Sequence, residues 1–188
     1  SISARYLIVE LITAISFLLI FLSFKNLYTI IFLSILILIL IMIFFIDLEN
    51  FIIPDSLNFS IMGLAIVKNF VPSFNTSLIH DINQSLIGGI IGYFSIWLII
   101  FLYKTLKKID GMGLGDAKLM AGIGLLFGWQ SIPLVLFLSS ILGLFFVAPS
   151  LLKKQKTMKS EIPFGPFIII AMLIYFVFGD FFYGLILV

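Results

Sequence analysis

LYTIIFLSILILILIMIFFIDLENFIIPD, residues 27–55, is an apolar run of helix length that closes on acids. No charge interrupts residues 27–46. At ~1.5 Å per residue such a run reaches the ~30 Å of a bilayer's hydrocarbon core. The apolar residues are continuous rather than alternating, which selects a helix over a barrel strand. With no water in the bilayer core, a helix also satisfies its own backbone polar groups. Asp47 then stands at the C-terminal end of this span, where helix carbonyls disfavour a negative charge. An acid at that place needs a partner, a wet cavity or a chemical role.

Similar runs recur along the whole chain. It has 188 residues, 62% of them hydrophobic, with a mean hydropathy of +1.29 and 11% charged. Soluble domains carry about 25% charged residues. The expected fold is all-α, a polytopic membrane helix bundle forming a single domain over residues 1–188. Seven spans are expected, at 6–24, 27–46, 54–70, 85–103, 116–127, 132–152 and 164–187. The fifth is short for a bilayer, and the seventh carries Gly179-Asp180, where a bend or break is expected. Because the first run is far longer than a signal-peptide core, it reads as a true span.

Charge sets the orientation. In a seven-span frame Arg5, Lys104, Lys107, Lys108, Lys118, Lys153, Lys154, Lys156 and Lys159 share one side, leaving Lys25 and Lys68 on the other. The positive side is cytoplasmic, so the N-terminus is expected inside. The same frame puts the Asp47 and Asp116 loops together on the cytoplasmic face. The basic stretch KKQKTMKSE, residues 153–161, suits anionic lipid headgroups. A net charge of +2, spread in this way, gives no reason to expect a nucleic-acid partner. With no cysteine and one histidine, His80 in a polar loop, thiol chemistry and a histidine-rich metal site are excluded.

Asp116 follows Gly111-Met112-Gly113-Leu114-Gly115 and opens a helix, where an aspartate N-cap is favourable. The glycines permit close backbone approach, as a substrate strand beside a carboxylate would need. A phosphate loop is the competing reading, but no Walker-type Gly-Lys-Ser/Thr is present. Two carboxylates brought together cannot both ionise; the charged one can take a proton from water while the neutral one serves a carbonyl oxygen. Asp47 and Asp116 are therefore the candidate catalytic pair, with no metal required.

Other polar residues have plainer readings. Asp55, after Pro54, is placed to cap the third span. Glu10 lies inside the first apolar run and calls for a partner. Glu49 and Asp110 read as solvated loop acids, and Asp180 belongs near the outer face. Lys118 points about 200° away from Asp116 on a helix and reads as a headgroup lysine or a substrate contact. Gly88 and Gly92 form a GxxxG spacing that serves close helix packing. In a different functional class, Glu10, Asp47 and Asp116 would form the proton relay of a small transporter, although such acids should lie at several depths.

Four segments in order, SISARYLIVELIT, IDLENFIIPD, GMGLGDAKLMAGIG and EIPFGPFI, resemble the bacterial type IV prepilin leader peptidases within the GxGD membrane aspartyl proteases. The resemblance implies that Asp47 and Asp116 are the dyad and that Gly113 and Gly115 shape the second site. It implies prepilins or pseudopilins as substrates, cut on the cytoplasmic side of the bacterial inner membrane. A related peptidase for another membrane substrate, such as a preflagellin, shares these features. Typical bifunctional family members also methylate the new N-terminus with S-adenosylmethionine, through a region with paired zinc-binding cysteines upstream of the block matching Ser1–Thr13. The expectation is therefore a peptidase core, with no cofactor for cleavage and S-adenosylmethionine only where that upstream region is present.

Overall fold

A computed structural model describes residues 4–70, 81–108, 113–152 and 162–186. His80, Asp110, Gly111 and the basic stretch 153–161 lie outside the described residues, as does the side chain of Asp180. Seven helices follow one another: α1 (Ala4–Ser23), α2 (Leu27–Asn50), α3 (Asp55–Lys68), α4 (Ile82–Lys107), α5 (Leu114–Phe127), α6 (Ser131–Leu152) and α7 (Gly165–Ile186). No strand occurs among the described residues. Every expected span has its helix, and α7 runs through Gly179-Asp180 without a break.

Length divides these helices into two kinds. Stretches Arg5–Ser23, Leu27–Asn50, Ile82–Lys107 and Ser131–Ala148 are long and apolar enough to cross a membrane, so this is an integral membrane protein. In contrast, α3 and α5 have 14 residues each, about 21 Å of helix. Neither crosses a ~30 Å core unaided, as the shortness of the fifth run already indicated for α5.

The short α5 lies at the centre. Asp116, Ala117, Leu119, Met120, Ala121, Gly122, Ile123, Gly124, Leu126 and Phe127 are all buried in it, as befits a helix apolar on every side. It packs against α3, α4, α6 and α7. The α4 crossing is the closest, because glycines remove the side chains between the two backbones. A Cβ on Gly88 would run into the Gly124 carbonyl, and one on Gly92 into that of Met120. The GxxxG pair thus has the packing role expected of it. At the periphery, α1 packs on α2, and Arg5 pairs with Glu49 in the last turn of α2.

Candidate active site

Asp47 sits one turn before the end of α2 and is 4% exposed. The helix closes at Phe51, which takes the left-handed conformation and donates its N–H to the Asp47 carbonyl. The side chain turns to another element. Gly165, the first residue of α7, donates its N–H to Asp47 Oδ2 at 3.0 Å. That N–H is one of the donors a helix start leaves unpaired, so α7 offers its positive end to the carboxylate.

A side chain at 165 would crowd this contact. A Cβ there would lie 2.8 Å from Asp47 Oδ2 and 3.0 Å from Ile53 Cδ1. Ile53, buried in the α2–α3 connection, fills the space on the other side as well. A Cβ on Gly115 would meet Ile53 Cβ at 3.1 Å. One isoleucine is thereby wedged between the glycine that holds Asp47 and the glycine that precedes Asp116.

Asp116 is 8% exposed, and its neighbour Gly115 abuts the same Ile53 that Gly165 abuts beside Asp47. The two acids, on different helices and remote along the chain, thus share one buried site. The capping expectation for Asp116 needs correction. Gly113 is the N-cap and α5 begins at Leu114, so Asp116 stands in the first turn. There it still meets the positive helix end, while its carboxylate is not spent on capping.

Asp55 is also not the cap expected of it. Pro54 is the N-cap of α3 and supplies no side-chain bond. Instead both Asp55 oxygens accept from Lys118 Nζ at 2.7 Å, with Lys118 passing 5.9 Å from the Phe59 ring centroid. Lys118 faces away from Asp116 as its spacing requires, but its charge goes to α3 rather than to the headgroup region. Glu10 is exposed on α1 and is not drawn to the pair. Its expected partner is not found among the described residues; Arg5 and Glu49 form the ion pair on that flank.

Two contributors escaped the sequence reading. Gly165 was legible only as part of a proline-glycine motif, and its bond to Asp47 bridges 118 positions. Asn58 is fully buried in α3 and donates Nδ2–H to the Gly115 carbonyl at 3.2 Å. A lone amide on an otherwise apolar helix face was its only signal. The described residues hold no cluster of three or more acid or histidine side chains suited to a metal ion.

The profile of the type IV leader peptidase family matches residues 34–148, more than half of the chain and both aspartates. The chain belongs to the type IV leader peptidase family. It is similar to the prepilin leader peptidase/N-methyltransferase of Aeromonas hydrophila, at 33% identity over 95% of this chain and 60% of the relative. The protein of the same description from Dichelobacter nodosus is 35% identical over 95% of this chain and 59% of that one. The chain therefore spans about 60% of the length of these curated relatives. No solved structure matches it significantly.

Proposed function

We propose that this chain is an aspartyl endopeptidase that cuts the short basic leader from type IV prepilins or pseudopilins at the cytoplasmic face of the bacterial inner membrane. One observation carries the reading: Ile53 packs at once against Gly165, which holds the buried Asp47, and against Gly115, which precedes the buried Asp116, so two carboxylates from separate helices border one spot. Family membership supports the substrate class, since the relatives' names include prepilin leader cleavage. The N-methyltransferase half of those names is not assigned to these residues.

The chemistry follows from a pair that holds one proton. Asp47 Oδ2 accepts from the Gly165 N–H, which orients the carboxylate. The ionised carboxylate takes a proton from water as the water oxygen attacks the scissile carbonyl carbon. The protonated partner gives its proton to the carbonyl oxygen. Collapse of the tetrahedral intermediate breaks the C–N bond, and a proton passes to the leaving nitrogen. The products are a leader carboxylate and a new N-terminal amine, with one water consumed.

Orientation is argued from charge. Arg5 at the start of α1 pairs with Glu49, two residues after Asp47, Lys118 lies two residues after Asp116, and Lys104, Lys107 and Lys108 close α4, the helix that precedes α5. Positive ends face the cytoplasm. A precursor helix lying in the membrane would then bring its leader junction to this boundary. Asp47→Asn and Asp116→Asn are each expected to remain folded and to abolish cleavage of a prepilin by the purified protein in detergent. Wild-type rates in either variant would remove that residue from the mechanism.

A further inference from the structure

α3 grips the short central helix through three polar links. The Asp55–Lys118 ion pair lies near the start of both helices, the Asn58–Gly115 bond beside it, and Lys68 Nζ donates to the Leu126 carbonyl at 2.7 Å at the far end. Glycine contacts with α4 set the register of α5 on one side, and α3 adds directed bonds on the other. Together they fix the depth of α5. The Asn58 bond is the link nearest the chemistry, since Gly115 immediately precedes Asp116.

Asn58 is also an anomaly. It is 0% exposed, and its Oδ1 has no hydrogen-bond donor among the described residues. A buried acceptor without a partner costs stability, and an apolar side chain of similar size would avoid that cost. Its Nδ2 bond, moreover, goes to a carbonyl in the first turn of a helix, which the helix can already supply with a donor. Stability therefore does not account for the residue.

We propose that Asn58 is a positioning residue for Asp116, clamping the Gly115 carbonyl so that the first turn of α5 stays at the depth where its carboxylate meets Asp47. The proposal rests on the peptidase reading. It deepens that reading by placing the precision of the dyad on α3, a helix that contributes no reacting atom.

The test compares wild type, Asn58→Leu and Asn58→Asp, each the full chain in detergent, on a synthetic prepilin with a basic leader and an apolar helix. Leucine removes the clamp together with the orphaned acceptor. Asn58→Leu should melt no lower than wild type, yet kcat should fall about 10–100-fold with KM nearly unchanged, the scale of a misplaced catalytic group. Aspartate keeps the shape and can donate to the Gly115 carbonyl only when protonated. Its activity relative to wild type should rise as pH falls. The charged groups of α3 and of the helices packed against it are Asp47 and Glu49 on α2, Asp116 and Lys118 on α5, and Asp55 and Lys68 on α3 itself, Lys68 at the far end. Wild type carries all of these, so the ratio isolates residue 58.

Unchanged kcat in Asn58→Leu overturns the proposal. A loss matched by unfolding, with Asn58→Asp following the wild-type pH profile, overturns it as well. If wild type itself leaves the prepilin uncut, the peptidase reading fails instead. The clamp is then read from the ¹³C carboxyl resonance of Asp116: a shift between wild type and Asn58→Leu supports it, and coincident signals reject it.

Discussion

The two halves of the candidate site are held in opposite ways. Asp47 rides on α2, a 24-residue apolar helix that can cross a membrane on its own. Its carboxylate is then set by a single backbone donor, Gly165, at the mouth of α7. Asp116 rides on α5, which is too short to cross, buried on every side and tied to its neighbours by glycine contacts with α4 and polar links from α3. In a bilayer, a long apolar helix finds its depth from its length. A short one takes its depth from its contacts, so overpacking in the Asp116 half should spread through the fold, whereas the same insult in the Asp47 half should stay local.

Removing either carboxylate has the largest expected effect. Asp47→Asn and Asp116→Asn should each lower prepilin cleavage by at least about 10²–10⁴-fold, the usual weight of a positioned acid or base, while circular dichroism stays that of a folded helical protein. Next comes Gly124→Leu, which drives a branched side chain into the Gly88 backbone. Overpacking of a tight contact costs about 1–3 kcal/mol or more, so both melting temperature and activity should fall together. The matching change in the Asp47 half, Gly165→Ala, should separate the two readouts. Its Cβ would press on Asp47 Oδ2, so cleavage should drop about 10²-fold for a shift near 1 Å, with only a modest change in melting temperature. A Gly165→Ala protein that cleaves normally would break the comparison.

The smallest effect belongs to the Asp55–Lys118 pair. Asp55 is 58% exposed, and exposed ion pairs contribute about 0–1 kcal/mol. Asp55→Asn should therefore change stability by less than about 1 kcal/mol and cleavage by only a few-fold. A loss as large as that from Asn58→Leu would move the clamp from the amide to the ion pair.

Much of this was legible from residues alone. Helix count and order follow from apolar runs bounded by charge, because lipid admits only segments that satisfy their own backbone. Asp47 and Asp116 stood out for the same reason: a carboxylate beside such a run is expensive, and Gly113 and Gly115 marked where a backbone could come close. The glycine spacing at Gly88 and Gly92 announced a tight crossing. Caps were read less well. Asp55 and Asp116 both look like N-caps by type and position, yet Pro54 and Gly113 take those places. Cap preference is worth only about 1 kcal/mol, small enough for the packing of neighbouring helices to override. Glu10 misled through its apolar surroundings, since a residue near the end of a peripheral helix can remain exposed without a buried partner.

The sequence by itself determined that this chain is a helical membrane protein, and it singled out the two acids, because hydrophobicity and the cost of charge in lipid are properties of residues. Only the tertiary structure decided that Gly165 reaches Asp47 across 118 positions, that Ile53 separates Gly115 from Gly165, and that Asn58 grips the turn carrying Asp116. Those relations depend on which helix faces lie together and at what depth. Such geometry is set by packing among all the helices at once and is written in no single stretch of the chain.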